Sequence, residues 1–193
     1  MGDFTFYLDT GWHHIISWNA LDHILFIIAL SAIYLAQDWK QVLVLITAFT
    51  IGHSLTLALS VNNVIRFNEK WVEFLIPCTI FATALFNFFI KGYQPKSLRI
   101  NYFLALFFGL IHGMGFANSI RFMLAKNQAI GWPLLGFNIG LEAGQIAVVT
   151  FILLISYVLV NKLNIPRKWW VWSLSITAII ISAKMLIERW PHL

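Results

Sequence analysis

The sequence predicts an all-α integral membrane protein, a bundle of six transmembrane helices forming one domain over residues 1–193. Three observations predict it. Of 193 residues, 60% are hydrophobic and only 11% charged, and the mean hydropathy is +0.78, whereas a soluble domain is about a quarter charged. The apolar residues gather into six runs, each long enough for the roughly 20-residue helix that a hydrocarbon core requires. All nine tryptophans (Trp12, Trp18, Trp39, Trp71, Trp132, Trp169, Trp170, Trp172 and Trp190) sit at or near the ends of those runs, as an aromatic belt at both interfaces does. This composition excludes a soluble enzyme and a nucleic-acid partner, and six spans leave no room for a second domain.

The first span covers roughly 18–36 and stops at the polar break Gln37 to Lys40. The second, 41–61, is closed by the break from Asn62 to Lys70, and the third, 71–90, by Lys91 to Arg99. The fourth runs over 100–123 and the fifth over 133–160, the latter long enough to tilt or to begin with a bent turn at Gly131-Trp132-Pro133. The sixth covers 168–190. The N-terminus, Met1-Gly2-Asp3-Phe4, lacks the basic start of a cleaved signal peptide, so the first apolar helix is expected to direct insertion. Cys78 is the single cysteine and has no partner for an internal disulfide. The net charge of +5 reads as topology signal and anionic-lipid contact, because the basic residues lie between apolar runs. Lys40, Lys91, Lys96, Arg99, Lys162, Arg167 and Lys168 share one side, against Arg66, Lys70, Arg121, Lys126 and Arg189 on the other. The richer side is expected in the cytoplasm, with both termini outside. One internal echo links the second and fourth spans: Phe49, His53, Ala58 and Ser60 recur as Phe108, His112, Ala117 and Ser119. It does not duplicate the acid of the fifth span.

Ionisable groups inside hydrocarbon are costly and mark function by default. Here they are Asp22, His23, His53, His112 and Glu142, with His13 and His14 just before the first span. At about 1.5 Å per residue, His53 and His112 each lie roughly 18 Å from the cytoplasmic side, Asp22 about 21 Å from it and Glu142 about 14 Å below the outer side. All four fall in one layer of the outer half of a core about 30 Å thick. Imidazoles and carboxylates at one level are the donor set of a divalent transition metal such as zinc, nickel or cobalt. Asn138, Glu142 and Gln145 share a helix face, which places amides beside the glutamate. Thr50 and Thr56 flank His53 and are candidates to fix its tautomer. Gly109 and Gly113 flank His112 and permit close helix approach. Lys184 and Glu188, four residues apart, read as an ion pair at a helix end.

Gly11-Trp-His-His14 and Leu21-Asp22-His23-Ile-Leu-Phe26 resemble the opening of the HupE/UreJ family of bacterial membrane proteins. Thr47 to Leu57, Phe108 to Ala117 and Phe137 to Gln145 resemble its later signatures in the same order. Ile16 stands where the nickel-associated branch carries a histidine, so the likeness is to the broader second branch. The resemblance implies a multi-pass protein of the bacterial inner membrane, nickel or cobalt handling, and functional roles for Asp22 and His23.

Two functions follow as expectations. The first is a membrane transporter for a divalent metal (Ni, Co or Zn) held by His14, Asp22, His23, His53, His112 and Glu142. Its partners are the metal ion and the lipid bilayer, with a homo-oligomer left open. The lack of ionisable residues in the inner half counts against it. The second is an outward-facing metalloenzyme, a hydrolase of a lipid or lipid-linked substrate, with Glu142 or Asp22 as base. A metal-stabilised accessory protein is a third, blander reading.

Overall fold

The computed structural model describes residues 2–17, 20–90, 92, 98–123 and 130–191, and every element among them is helical. In chain order these are α1 (Gly2–Ile16), α2 (Leu21–Ser31), α3 (Trp39–Val61), α4 (Glu69–Phe86), α5 (Leu98–Gly115), α6 (Ala117–Met123), α7 (Gly131–Ser156) and α8 (Arg167–Glu188). Short 3-10 turns at Ala36–Asp38 and Asn87–Phe89 border α3 and α4, and a π-helical turn, Tyr157–Lys162, prolongs α7. Trp18, Lys91, Lys96 and Lys126, used above for the belt and the charge bias, lie outside the described residues.

Among the described residues four helical runs are long and apolar enough to cross a membrane unaided: Ala36–Val61, Glu69–Phe89, Gly131–Lys162 and Arg167–Glu188. The α1–α2 pair, bent by 65°, raises this to as many as five. Six independent spans are therefore not matched one for one. Among the described residues of the run expected at 18–36, the α-helix is Leu21–Ser31, and its 11 residues reach roughly 16 Å, short of a core of about 30 Å. Ahead of it stands a full 15-residue helix, α1, outside all six expected runs. That helix forms because Tyr7, Gly11 and Ile15 recur at helical spacing and are buried, while Asp9 and His13 face out. The run at 100–123 breaks at Phe116, between α5 and α6. No bent turn opens α7; Pro133 sits in its first turn, where a missing N–H leaves no helix bond unmade.

Two close helix pairs organise the bundle. Gly52 of α3 lies against the Leu106 carbonyl of α5, while Gly109 and Gly113 lie against the Phe49 and His53 carbonyls, and a Cβ at any of the three would collide with that backbone. From Phe49 with Gly109 to His53 with Gly113 the contact advances by four residues on both helices, so α3 and α5 run parallel. Gly136, Gly140 and Gly144 of α7 receive Phe4, Leu8 and Ile15 of α1 in the same ascending order, so α1 and α7 are parallel too. Without water to drive apolar faces together, such backbone proximity is how membrane helices gain attraction. Across the bundle, α8 is antiparallel to α2 and α4: Asp22 meets Arg189, Phe74 meets Trp190, and Asn87 reaches both Ala29 and Ser175. The outward faces of the long helices carry Ile51, Leu55, Phe103, Phe107, Phe151 and Ile180, all exposed. That apolar exterior suits lipid.

Candidate metal centre

Three helices each deliver one imidazole to a common point, and a fourth adds its own alongside. His14 comes from the last turn of α1, His23 from the first turn of α2 and His53 from α3, with His112 near the end of α5. His23 is the hub: its ring centroid lies 4.7 Å from His14, 5.8 Å from His53 and 5.2 Å from His112. The α3–α5 and α1–α7 glycine contacts hold the backbones close enough for this convergence. His23 and His112 are buried and His53 has no exposed surface at all. An aromatic shell encloses them. Phe49 stacks 6.2 Å from His53 and lies 5.1 Å from His112, Phe137 lies 5.5 Å from His14, and Phe116 is 3.9 Å from it.

The donor atoms are free. One ligand atom each from His14, His23 and His53 lies within 4.8 Å of the other two. A metal about 2.1 Å from each nitrogen needs separations no greater than about 4.2 Å, a difference that small ring rotations cover. Nε2 of His14 and of His23, both ring nitrogens of His53 and Nδ1 of His112 are buried with no hydrogen-bond partner. A buried polar atom left unpaired costs about 1–3 kcal/mol, so several facing one another call for an occupant. The His112 tautomer follows from its neighbour. The Thr79 hydroxyl spends its one proton on the Ile76 carbonyl at 2.7 Å. Towards His112 Nε2, 3.2 Å away, it can only accept. Nε2 therefore carries the hydrogen, and Nδ1 keeps a bare lone pair. The ligand atoms of His112 fall outside the three-membered set, so it stands beside the trio.

A cleft of about 170 Å³ opens onto the cluster, with His14, His23 and His112 on its wall beside Asp22, Glu73 and Arg189. Asp22 does not turn toward the imidazoles. Its carboxylate accepts two hydrogen bonds from Arg189, at 2.9 and 3.3 Å. Consecutive helix positions point about 100° apart, which lets His23 enter the cluster while Asp22 lines the mouth. Spacing marks none of Arg189, Glu73 and Thr79 as neighbours of the histidines, since each lies on a different helix or just beyond one. The single usable signal was an arginine directly after the last apolar run.

Glu142 is placed elsewhere. It accepts a 2.7 Å hydrogen bond from Thr47, six residues before His53 on α3 and thus roughly 9 Å along that helix. Next to it Thr50 donates to Gln145 at 2.9 Å. The shared face of Glu142 and Gln145 is real, but it meets α3 below the histidines instead of surrounding a metal ligand. Asn138 Oδ1 is buried without a partner. Neither threonine fixes the His53 ring: Thr50 is committed to Gln145, and Thr56 donates to the Gly52 and His53 carbonyls. His13 faces out and pairs with Asp9 at 3.3 Å. Lys184 and Glu188 form the expected exposed pair, at 3.6 Å.

A family model described as HupE / UreJ protein matches residues 1–190, essentially the whole chain. Neither the curated proteins nor the solved structures contain a match to it.

Proposed function

The chain belongs to the HupE/UreJ family, and from that premise we propose that it binds a divalent transition metal at His14, His23 and His53 and carries it across the bacterial inner membrane as cargo. Nickel and cobalt suit the imidazole donors, with zinc as the other metal they accommodate. The observation that carries this reading is the facing set of buried, unpartnered imidazole nitrogens within 4.8 Å of one another. His112 and Asp22 complete the set as the cluster tightens around the ion. Neutral imidazoles replace hydration, and the cleft is the side from which the ion arrives. Below the histidines, the Thr50–Gln145 and Thr47–Glu142 pairs offer oxygen donors toward the inner side, so Glu142 serves the path and not the trio. In this reading α2, α3, α4, α5, α7 and α8 are the six membrane passes, with α2 completed by the bent α1 and both chain ends outside.

The test is metal analysis of detergent-purified protein joined to uptake of nickel or cobalt into proteoliposomes. A stoichiometric metal together with protein-dependent uptake is expected. A second reading, an intramembrane metal-dependent hydrolase, draws on the cleft that opens directly onto the histidines with two carboxylates on its wall. Tightly bound metal without any uptake would favour it, and protein that retains no metal would sink both.

A further inference from the structure

We propose that Arg189 is an internal cation that competes with the metal for Asp22, so that loading exchanges a guanidinium for a dication at that carboxylate. This rests on the metal-site reading and adds the residue that sets its affinity and selectivity. Asp22 is adjacent in sequence to His23, the hub of the cluster, yet its two oxygens are taken by the two Nη atoms of Arg189. Both residues line the cleft through which the histidines are reached. The arginine is held there from two directions. Its backbone N–H closes the end of α8 on the Met185 carbonyl at 2.9 Å, and the next residue, Trp190, packs edge-on to Phe74 of α4 at 5.2 Å.

The charges of the cleft permit the exchange. Asp22 and Glu73 are acids and Arg189 a base, and Glu73 makes no hydrogen bond or ion pair among the described residues. When a dication settles on neutral imidazoles, Asp22 can turn to it and Arg189 can move to Glu73 on the same wall. Every charge then keeps a partner, as a low-dielectric site requires. A guanidinium matches a carboxylate with two parallel hydrogen bonds but brings one charge. A monovalent ion gains too little to displace it. Magnesium holds its water shell too firmly and prefers oxygen donors. A dication that favours imidazole gains from both Asp22 and the histidines. The latch thus filters for the metals the cluster suits.

The test is titration of the purified full-length protein in detergent with cobalt(II), read by calorimetry and by the visible absorption of the bound ion, in wild type, Arg189→Gln, Arg189→Lys, Asp22→Asn and the Arg189→Gln/Asp22→Asn double variant. Arg189→Gln is expected to bind cobalt(II) about tenfold tighter, because the internal competitor is gone. Arg189→Lys keeps the charge without the two-point fork and is expected to gain by a smaller factor; it carries the test if the glutamine variant does not fold. In the Asp22→Asn background the gain is expected to vanish. Unchanged or weaker binding in both Arg189 variants overturns the exchange, as does an equal gain with and without Asp22. Wild-type protein that binds no cobalt(II) overturns the metal-site reading itself, which separates the two failures.

Discussion

His53 has no exposed surface, and neither of its ring nitrogens has a partner; a packing histidine normally hydrogen-bonds at least one. Removing it opens one position of the proposed site and leaves His14 and His23 unable to close around an ion. His53→Ala is expected to lower retained metal per folded chain by more than tenfold, measured by elemental analysis after gel filtration. Lys184→Ala, which touches only an exposed pair, should keep wild-type metal and change stability by no more than about 0.5 kcal/mol. Equal retention in the two variants would remove the site. Acidity acts on the same atoms. An imidazole binds metal only as the neutral base. A proton and the ion compete for one lone pair, so metal occupancy, and the stability it confers, falls as the solution is acidified. Protein equilibrated at pH 7.5 should hold the ion, and titrating the same sample down to about pH 4 should lower its occupancy; occupancy that does not change with acid would remove the imidazoles as ligands.

The helices meet where a hydrogen stands in place of a side chain. Gly109 touches the Phe49 backbone, and Gly113 that of His53, so any larger residue there pushes α5 from α3. Backbone cannot rotate away as a side-chain tip can. Gly109→Val is expected to destabilise by about 1–3 kcal/mol, seen as a lower melting temperature in detergent, and to weaken metal binding by parting His112 from His23 and His53. Gly131→Ala, at the exposed start of α7 with nothing near its Cβ, is the matched control and should leave both unchanged. If Gly109→Val behaves like Gly131→Ala, the close α3–α5 contact does not position the site. These glycines were legible as licences for close approach, but their partners were not, because the run 100–123 names no neighbour. The same limit explains α1. Its small and apolar positions suggest a face, while only the matching glycines of α7 make that face a helix contact.

A bound ion ties α1, α2 and α3 together, so it should stabilise the whole bundle. At a free metal concentration 100 times the dissociation constant, the expected gain is about 2.7 kcal/mol. It should appear as a higher melting temperature that a chelator reverses; an unchanged transition would separate metal from the fold. Cytoplasmic activity of a C-terminal reporter would likewise overturn the proposed orientation with both ends outside.

Composition and the spacing of apolar runs by themselves determined that this chain is helical, with several apolar helices of a multi-pass membrane protein and a few histidines within its apolar runs, since hydropathy and helix rise are local properties. Counting 1.5 Å per residue places His53 and His112 at one depth, and their rings lie in one buried cluster. Depth is one coordinate of three. It says nothing about the direction a side chain takes around its helix or about which helix stands beside it. Glu142 was put in the histidine layer on depth alone, and packing turns it to Thr47 instead. Asp22 lies next to His23 in the chain, and its partner is an arginine 167 residues away. The helix of Leu21–Ser31 meets α1 at 65°, and α1 lies along the glycines of α7. Those three outcomes are tertiary: each depends on a residue from a distant helix that the local pattern cannot name.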